Sequence, residues 1–379
     1  MEGQMKDLIT WCQQKSFWII AVSVYLSLIY STGLHFVYGE HAFGTYFLTI
    51  PRRENSKLDA GYSDRGQLAQ VNLEVSGSNL WKLTAAWQDA GTYLLQSKSI
   101  SLSIAPFKYR LFPTLLIGLI SDLVGRSISQ VFTVINVILT LITAILFTIY
   151  LQRLQFNRTL TILGGILYVT MLANTATMAF PMLEPASFLM ITLIFLSVLT
   201  RNIPLFLLSS IVGVVTKEIL LISSLLWIVN YLTMVKSFRL ADLVSNGLIA
   251  SIPILVFMSV RILLGGSPLE VNFGYDLLRG QMPNYWTRIL SISALFRFFV
   301  GTFLSFSFLW LGLLNIRKEP FLYRNSFVIP LVILATFLLS GGVARVIGIL
   351  FPIIIPLFLL FFDYRSSNLL GGVHIIENV

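Results

Sequence analysis

Long apolar runs separated by short polar breaks dominate the sequence from near its N-terminus to about residue 363. About 20 apolar residues are what an α-helix needs to cross roughly 30 Å of hydrocarbon. The pattern predicts ten spanning helices, at about residues 17–37, 128–150, 159–179, 185–200, 203–216, 218–235, 243–264, 289–315, 326–341 and 345–363. The expected fold class is therefore all-α, in a polytopic membrane protein.

The longest polar interval, residues 38–126, separates the first predicted span from the second. It contains one shorter apolar run, residues 111–124, which has about 14 residues, is interrupted by Pro113 and is too short to cross a bilayer. We expect this run to form an interfacial or re-entrant helix, with another juxtamembrane helix earlier in the interval. The chain is then one membrane domain, with a loop subdomain at 38–126 and a transmembrane bundle at 127–379.

Lysine and arginine are concentrated in the connections that a ten-span topology places on one side. These residues are Arg153, Arg158, Arg201, Lys236, Arg239, Arg317, Lys318 and Arg324. Because cytoplasmic loops of membrane proteins carry an excess of Lys and Arg, we expect that side to be cytoplasmic, together with both termini. The first run is interpreted as a retained signal anchor. The sequence thus predicts a multi-pass protein of the plasma membrane, which is the inner membrane in a bacterium, with the long loop on the other side.

Composition supports a membrane protein and argues against other classes. The 379 residues are 56% hydrophobic and only 11% charged, with a mean hydropathy of +0.82, whereas soluble domains have roughly 25% charged residues. The formal net charge of +9 is spread singly or in pairs between apolar runs, so the sequence has no basic stripe for nucleic acid. The single cysteine, Cys12, and the scattered His35, His41 and His374 lack metal-ligand spacing.

Two carboxylates are candidates for chemistry, because ionisable groups are costly beside a membrane and tend to be functional there. Asp89 is a candidate general base in the long loop, and Tyr93 follows one helical turn later on the same face. The alternative is a solvated residue at a helix start, and Asp59 and Asp64 are rival carboxylates. Glu184 lies between two predicted spans with little room for a solvated loop, so it is either functional or a helix cap.

Basic residues near the same side are candidate ligands of a phosphate. Lys108 and Arg110 flank Tyr109 directly before the short apolar run, where they could hold a lipid phosphate or anchor the chain to any anionic lipid. Lys217 and Glu218 interrupt an apolar stretch that is long enough for two short spans. They either pair with each other at the membrane edge or face a phosphate and a sugar or acceptor, respectively.

Three further arginines lie at or within predicted spans. Arg345 follows Gly341 and Gly342, whose flexible backbone would let its side chain reach inward, and it is the preferred phosphate ligand of the three. Arg261 and Arg297 are weaker candidates, because snorkelling of the side chain to the membrane surface explains their positions equally well.

Residues 87–127 have a motif order that is typical of one enzyme class. An acidic residue with a nearby aromatic residue is followed by a Tyr-Arg-x-x-Pro entry into a short helix and by Gly-Arg-Ser before the next span. The stretches are Asp89-Ala-Gly-Thr-Tyr93, Tyr109-Arg110-Leu-Phe-Pro113 and Gly125-Arg126-Ser127. This order resembles the GT-C class of integral-membrane glycosyltransferases, and within it the bacterial relatives of protein mannosyltransferases and aminoarabinose transferases.

The resemblance implies transfer of a sugar from a polyprenyl-phosphate donor to a lipid, glycan or protein acceptor on the non-cytoplasmic face. It implies that Asp89 is the catalytic base, with Glu40 and Asp59 as alternatives, and that Glu184 is a second acidic residue of the site. Donor-phosphate contacts would come from Lys108, Arg110, Lys217 and Arg345, and other substrate contacts from Tyr93, Tyr109 and Glu218.

A transporter or a flippase for lipid-linked glycans is the alternative class. Such a protein is expected to distribute titratable residues through the membrane midplane, whereas the candidates here cluster near one face. Asp and Glu side chains are available for a divalent metal, but no ligand spacing demands one, and no cofactor is assigned.

Overall fold

The computed structural model describes residues 18–27, 29, 93–94, 96–100, 107–171, 178, 182–234, 239–266, 304–339 and 348–363. Within these ranges the regular backbone is helical and forms no β-strand. The prediction of an all-α fold is therefore confirmed at this level.

The described helices overlap the predicted spans in position. The α-helices are α1 (Trp18–Ser27), α2 (Thr114–Val124), α3 (Ile128–Arg153), α4 (Arg158–Thr170), α5 (Glu184–Thr200), α6 (Ile203–Val214), α7 (Ile222–Met234), α8 (Leu240–Leu263), α9 (Pro320–Asn325), α10 (Val328–Leu339) and α11 (Phe351–Leu359). Helices of the 3-10 type cover Phe107–Tyr109, Glu218–Leu221, Leu304–Asn315 and Gly348–Leu350. Each predicted span overlaps one of these helices.

Two described helices are long and apolar enough to cross a membrane by length and composition. They are Gln130–Arg153 within α3, and α8. The other described helices are shorter; α2, for example, has 11 residues, which at about 1.5 Å per residue gives a length of roughly 16 Å. The short run at 111–124 therefore forms a helix too short to span, as expected, and its place at a membrane surface stays a prediction.

Consecutive helices from α3 to α8 alternate in direction. Residues at similar distances before and after each connection approach each other, as expected for antiparallel neighbours. The pairs are Thr148 with Gly165, Tyr168 with Phe188, Met190 with Gly213, Phe206 with Trp227, and Trp227 with Asn246. The predicted break at 216–218 is thus a real reversal of the chain between α6 and α7.

This alternation gives the bundle two chemically different ends. One end, called the basic end below, holds the connections that carry Arg153, Arg158, Arg201 and Arg239, together with Arg317, Lys318 and Arg324. The last three belong there because Phe321 packs against Tyr150 near the end of α3, with ring centroids 6.4 Å apart. The opposite end, called the site end, holds α2, the start of α5, the turn between α6 and α7, and the end of α8.

An aromatic core holds the helices together between the two ends. Phe351 packs against Phe147 and Tyr168 with ring centroids 5.0 and 4.6 Å apart, and the Tyr150 hydroxyl donates a hydrogen bond of 3.1 Å to the Pro352 carbonyl. Aromatic pairs at such distances add about 0.5–1.5 kcal/mol each beyond the burial of their surface. Helices α3, α4 and α11 are thus joined into one unit, from which the site end projects.

A close backbone contact connects the segment around Tyr93 to α2. The Ser97 hydroxyl donates a hydrogen bond of 2.8 Å to the Tyr93 carbonyl, four residues earlier, within a helical turn. The backbone of Ser97 in this turn lies against Gly118. A Cβ atom added at Gly118 would lie 1.9 Å from the Ser97 carbonyl oxygen. The absence of a side chain at Gly118 therefore allows Tyr93 to approach the site end.

Replacing Gly118 with alanine is expected to destabilise the protein by about 1–3 kcal/mol, because the new methyl group meets backbone that cannot move aside easily. Gly247 is a matched control: it also lies inside a helix, and a Cβ atom there would meet nothing within 4 Å. Gly247→Ala should leave stability unchanged or raise it slightly. Unfolding of the two purified variants in detergent measures both effects, and equal stability would contradict this close contact.

Candidate functional site

The site end gathers the candidate residues that the sequence indicated. Seven of the nine site residues that the resemblance implies lie in described ranges: Tyr93, Lys108, Tyr109, Arg110, Glu184, Lys217 and Glu218. The other two, Asp89 and Arg345, lie outside the described residues, as do Glu40, Asp59, Asp64 and Arg297. Six side chains form one connected set of contacts: Tyr93, Lys108, Tyr109, Arg110, Glu218 and Arg261. Lys217, next to Glu218 in the chain, pairs with Glu184, and the eight residues together are called the charged cluster below.

Arg110 is at the centre of the charged cluster. Its Nε atom donates to both carboxylate oxygens of Glu218 over 3.2 and 3.1 Å, and its Nη2 atom lies 3.0 Å from Oε2. Its Nη1 atom donates to the Tyr93 hydroxyl over 2.5 Å. This forked geometry is specific to arginine, because its planar guanidinium offers several donors in fixed directions.

Local backbone contacts explain why Arg110 reaches Glu218. The 3-10 turn Phe107–Tyr109 directly precedes Arg110. Two residues after Arg110, the amide of Phe112 donates a hydrogen bond of 3.2 Å to the Val215 carbonyl. This bond joins the loop to the reversal between α6 and α7. Since Glu218 begins the 3-10 turn after that reversal, the two side chains are brought face to face.

Arg261 approaches the same carboxylate from α8. Its Nη2 atom lies 4.0 Å from Oε1 of Glu218, and its guanidinium carbon lies 4.9 Å from the centre of the Tyr109 ring and 4.2 Å from that of Phe257. The residue is only 4% exposed. A cation over an aromatic face is stabilised by the negative charge of that face, so Tyr109 and Phe257 help to hold this charge in a buried place.

Lys108 approaches the Tyr109 ring as well. Its Nζ atom lies 5.1 Å from the ring centre and donates to the Leu264 carbonyl at the end of α8 over 3.1 Å. The Lys108 carbonyl in turn accepts a hydrogen bond of 3.2 Å from the buried amide of Gln96. Lys108, Arg110 and Arg261 therefore converge around Tyr109 and Glu218.

Lys217 and Glu184 form a second ion pair beside the first. The Lys217 Nζ atom lies 3.0 Å from Oε1 of Glu184, and their side chains are only 11% and 5% exposed. Glu184 is the first residue of α5, where its charge also meets the positive end of the helix dipole. The two interpretations of Glu184 that the sequence left open, a cap and a site residue, are thus compatible. Lys217 thus has a carboxylate partner other than Glu218, its neighbour in the chain.

The balance of charge favours an anionic ligand. Counting only described residues, the charged cluster contains four cations, Lys108, Arg110, Lys217 and Arg261, and two carboxylates, Glu184 and Glu218. A small apolar cluster that includes Tyr93, Leu94, Ile117 and Leu183 borders it. Because apolar surroundings lower the local dielectric constant, the electrostatic attraction of the cations for a phosphate is stronger here than on an open surface.

Arg261 is the residue that sequence reasoning undervalued. A signal for it was present: α8 starts at the basic end, so its last turn is at the end where the positive-inside rule predicts few cations. An arginine there needs a local reason, which the structure supplies as Glu218 and Tyr109. No feature of the sequence indicated that Gln96 is buried at this site.

In the described ranges, no group of three or more His, Cys, Asp or Glu residues is arranged to hold a metal ion. Comparisons with protein-family models, with curated proteins and with solved structures give no match for this chain. The function of the chain is therefore inferred from its composition, the charged cluster and the surfaces of its helices.

Proposed function

We propose, first, that the chain is a multi-pass membrane protein with about ten spanning helices and both termini in the cytoplasm. Support comes from the apolar side chains that the helices turn outward, among them Val134 and Ile138 on α3, and Leu248, Leu255 and Ile262 on α8. Only 11% of the apolar window of α8 is buried. Such extended apolar faces are unstable in water and are stable against lipid. The basic end would face the cytoplasm, and the site end the opposite compartment.

Within that class, we propose a glycosyltransferase that takes a sugar from a polyprenyl-phosphate donor. The observation that carries the proposal is the convergence of Lys108, Arg110 and Arg261 on one small region at the site end. A lipid phosphate at the membrane surface would meet all three cations, and arginine could bind it in bidentate fashion. The motif order around Asp89 and Arg110, which resembles GT-C enzymes, is consistent with this use.

The reaction would proceed by attack of an acceptor hydroxyl or amine on the anomeric carbon of the sugar. The bond between that carbon and the phosphate oxygen breaks, and the lipid phosphate leaves with the electron pair. Asp89 would take the proton of the acceptor, while Lys108, Arg110 and Arg261 stabilise the charge that develops on the leaving group. Glu184 and Lys217 would hold the turn that carries Glu218.

The test is transfer of a labelled sugar from a panel of polyprenyl-phosphate donors by the purified chain. We expect transfer by the unmodified protein and its loss in Asp89→Asn, while donor binding persists, because the cations that hold the phosphate are unchanged. Transfer that survives in Asp89→Asn would assign the base to Asp59 or Glu40. If no donor is bound or consumed, the glycosyltransferase proposal fails, and flux of lipid-linked glycans across proteoliposomes would be the next measurement.

A further inference from the structure

A second feature of interest lies at the basic end, away from the charged cluster. An open groove of about 750 Å³ is formed where the ends of α7 and of the Leu304–Asn315 helix meet α9 and the start of α10. This volume is in the range of roughly 300–1,000 Å³ that is typical of small-molecule sites. Its apolar lining includes Leu313, Ile316, Phe327, Ile329 and Pro330.

One cation lines this apolar groove. The Nη1 atom of Arg324 is buried and has no hydrogen-bond partner among the described residues. The carboxylate in its neighbourhood, Glu319, attracts Arg324 electrostatically, but its Oε2 atom accepts a hydrogen bond of 2.6 Å from the Leu322 amide and caps α9. A buried donor without a partner is costly, so a ligand that accepts from Arg324 would remove a penalty as well as add a bond.

We propose that this groove binds an anionic phospholipid, with the lipid phosphate on Arg324 and an acyl chain along the apolar lining. Charge complementarity supports this occupant: Arg324 is a cation of the lining, and Arg317 and Lys318 add exposed positive charge in the connection that precedes α9. A small soluble anion would leave the apolar lining in water, whereas a lipid covers it. Anionic lipids are enriched in the cytoplasmic leaflet, which is the leaflet that the basic end would face.

The proposal depends on the membrane topology but not on sugar transfer. The groove and the charged cluster are at opposite ends of the bundle, so the two sites can be tested separately. A lipid at the groove would fill the junction of α7, α9 and α10, where the hydrogen bond of 2.5 Å between the buried Asn230 and Asn325 already connects α7 to α9. We therefore expect a bound lipid to raise the thermal stability of the chain.

Native mass spectrometry of the full chain in mild detergent tests this site. Phosphatidylglycerol should bind in preference to phosphatidylcholine, and Arg324→Gln should weaken phosphatidylglycerol binding by roughly tenfold, because one charge-assisted bond is lost. Arg158→Gln is the matched control, since it removes the same charge from an exposed position at the start of α4, outside the lining. Thr233→Trp, which fills the groove from α7 without changing charge, should also reduce binding.

Three results would overturn the proposal. Equal losses in Arg324→Gln and Arg158→Gln would indicate a diffuse surface charge rather than a site. Unchanged binding in Thr233→Trp would mean that the apolar lining is not occupied. Binding of glycerol 3-phosphate as tight as that of phosphatidylglycerol would indicate a phosphate site without a lipid. Sugar transfer is measured in parallel. If Asp89→Asn loses transfer but binds phosphatidylglycerol normally, the lipid proposal still holds.

Discussion

Replacing Arg110 with alanine should reduce sugar transfer by roughly 100-fold or more, the scale found when one preorganised donor to a developing negative charge is removed. The change removes the fork that contacts Glu218 and the donor to Tyr93 at once. It also leaves Glu218 with less positive charge around it, which disfavours an anionic leaving group nearby. Initial rates with a polyprenyl-phosphate donor, measured at saturating acceptor, give the size of the effect.

Two companion variants separate chemistry from folding. Arg110→Lys keeps the charge but cannot make the bidentate contact, so it should retain only a small part of the activity. Arg153→Ala removes an exposed arginine at the basic end and should transfer sugar at the normal rate. Thermal unfolding of all three proteins would show whether the bundle is intact. Normal transfer in a folded Arg110→Ala protein would remove Arg110 from the donor site.

The helices could be predicted from the sequence because long apolar runs separated by polar breaks favour helices of matching length and position. Each apolar run near the required length contains a described helix, and the polar break at Lys217 and Glu218 marks a true reversal. The predicted number of ten spans is not confirmed, because among the described helices only α3 and α8 are long and apolar enough to cross a membrane. The ends of the others depend on capping and packing, which an apolar pattern does not encode.

The charged cluster could be predicted only in part. Its members could be selected from the sequence as candidate site residues, because a charged side chain beside a predicted span is costly and tends to be functional. Their partners were not predictable from spacing: Lys217 pairs with Glu184, 33 residues earlier, and Arg110 with Glu218, 108 residues later. Such pairings depend on how the helices pack, and a sequence read alone favours neighbours such as Lys217 and Glu218.

The pair of Lys217 and Glu184 gives the second large expected effect, on stability. Lys217→Met should destabilise the chain by about 3–5 kcal/mol, because it leaves the nearly buried Glu184 carboxylate without this cation. Glu184→Gln should destabilise it as well, through loss of the opposite charge. The double variant Lys217→Met with Glu184→Gln should recover most of the loss, since replacing both partners of a buried pair is often close to neutral. Unfolding in mixed detergent measures all three free energies.

Activity of the same double variant decides what the pair is for. If Lys217 and Glu184 only hold the turn that carries Glu218, then the double variant, once its stability has recovered, should transfer sugar at close to the normal rate. If either side chain contacts the donor or acceptor, transfer should stay low although the fold is restored. Stability losses that simply add in the double variant would instead show that the two side chains do not interact, in contradiction to the 3.0 Å contact between them.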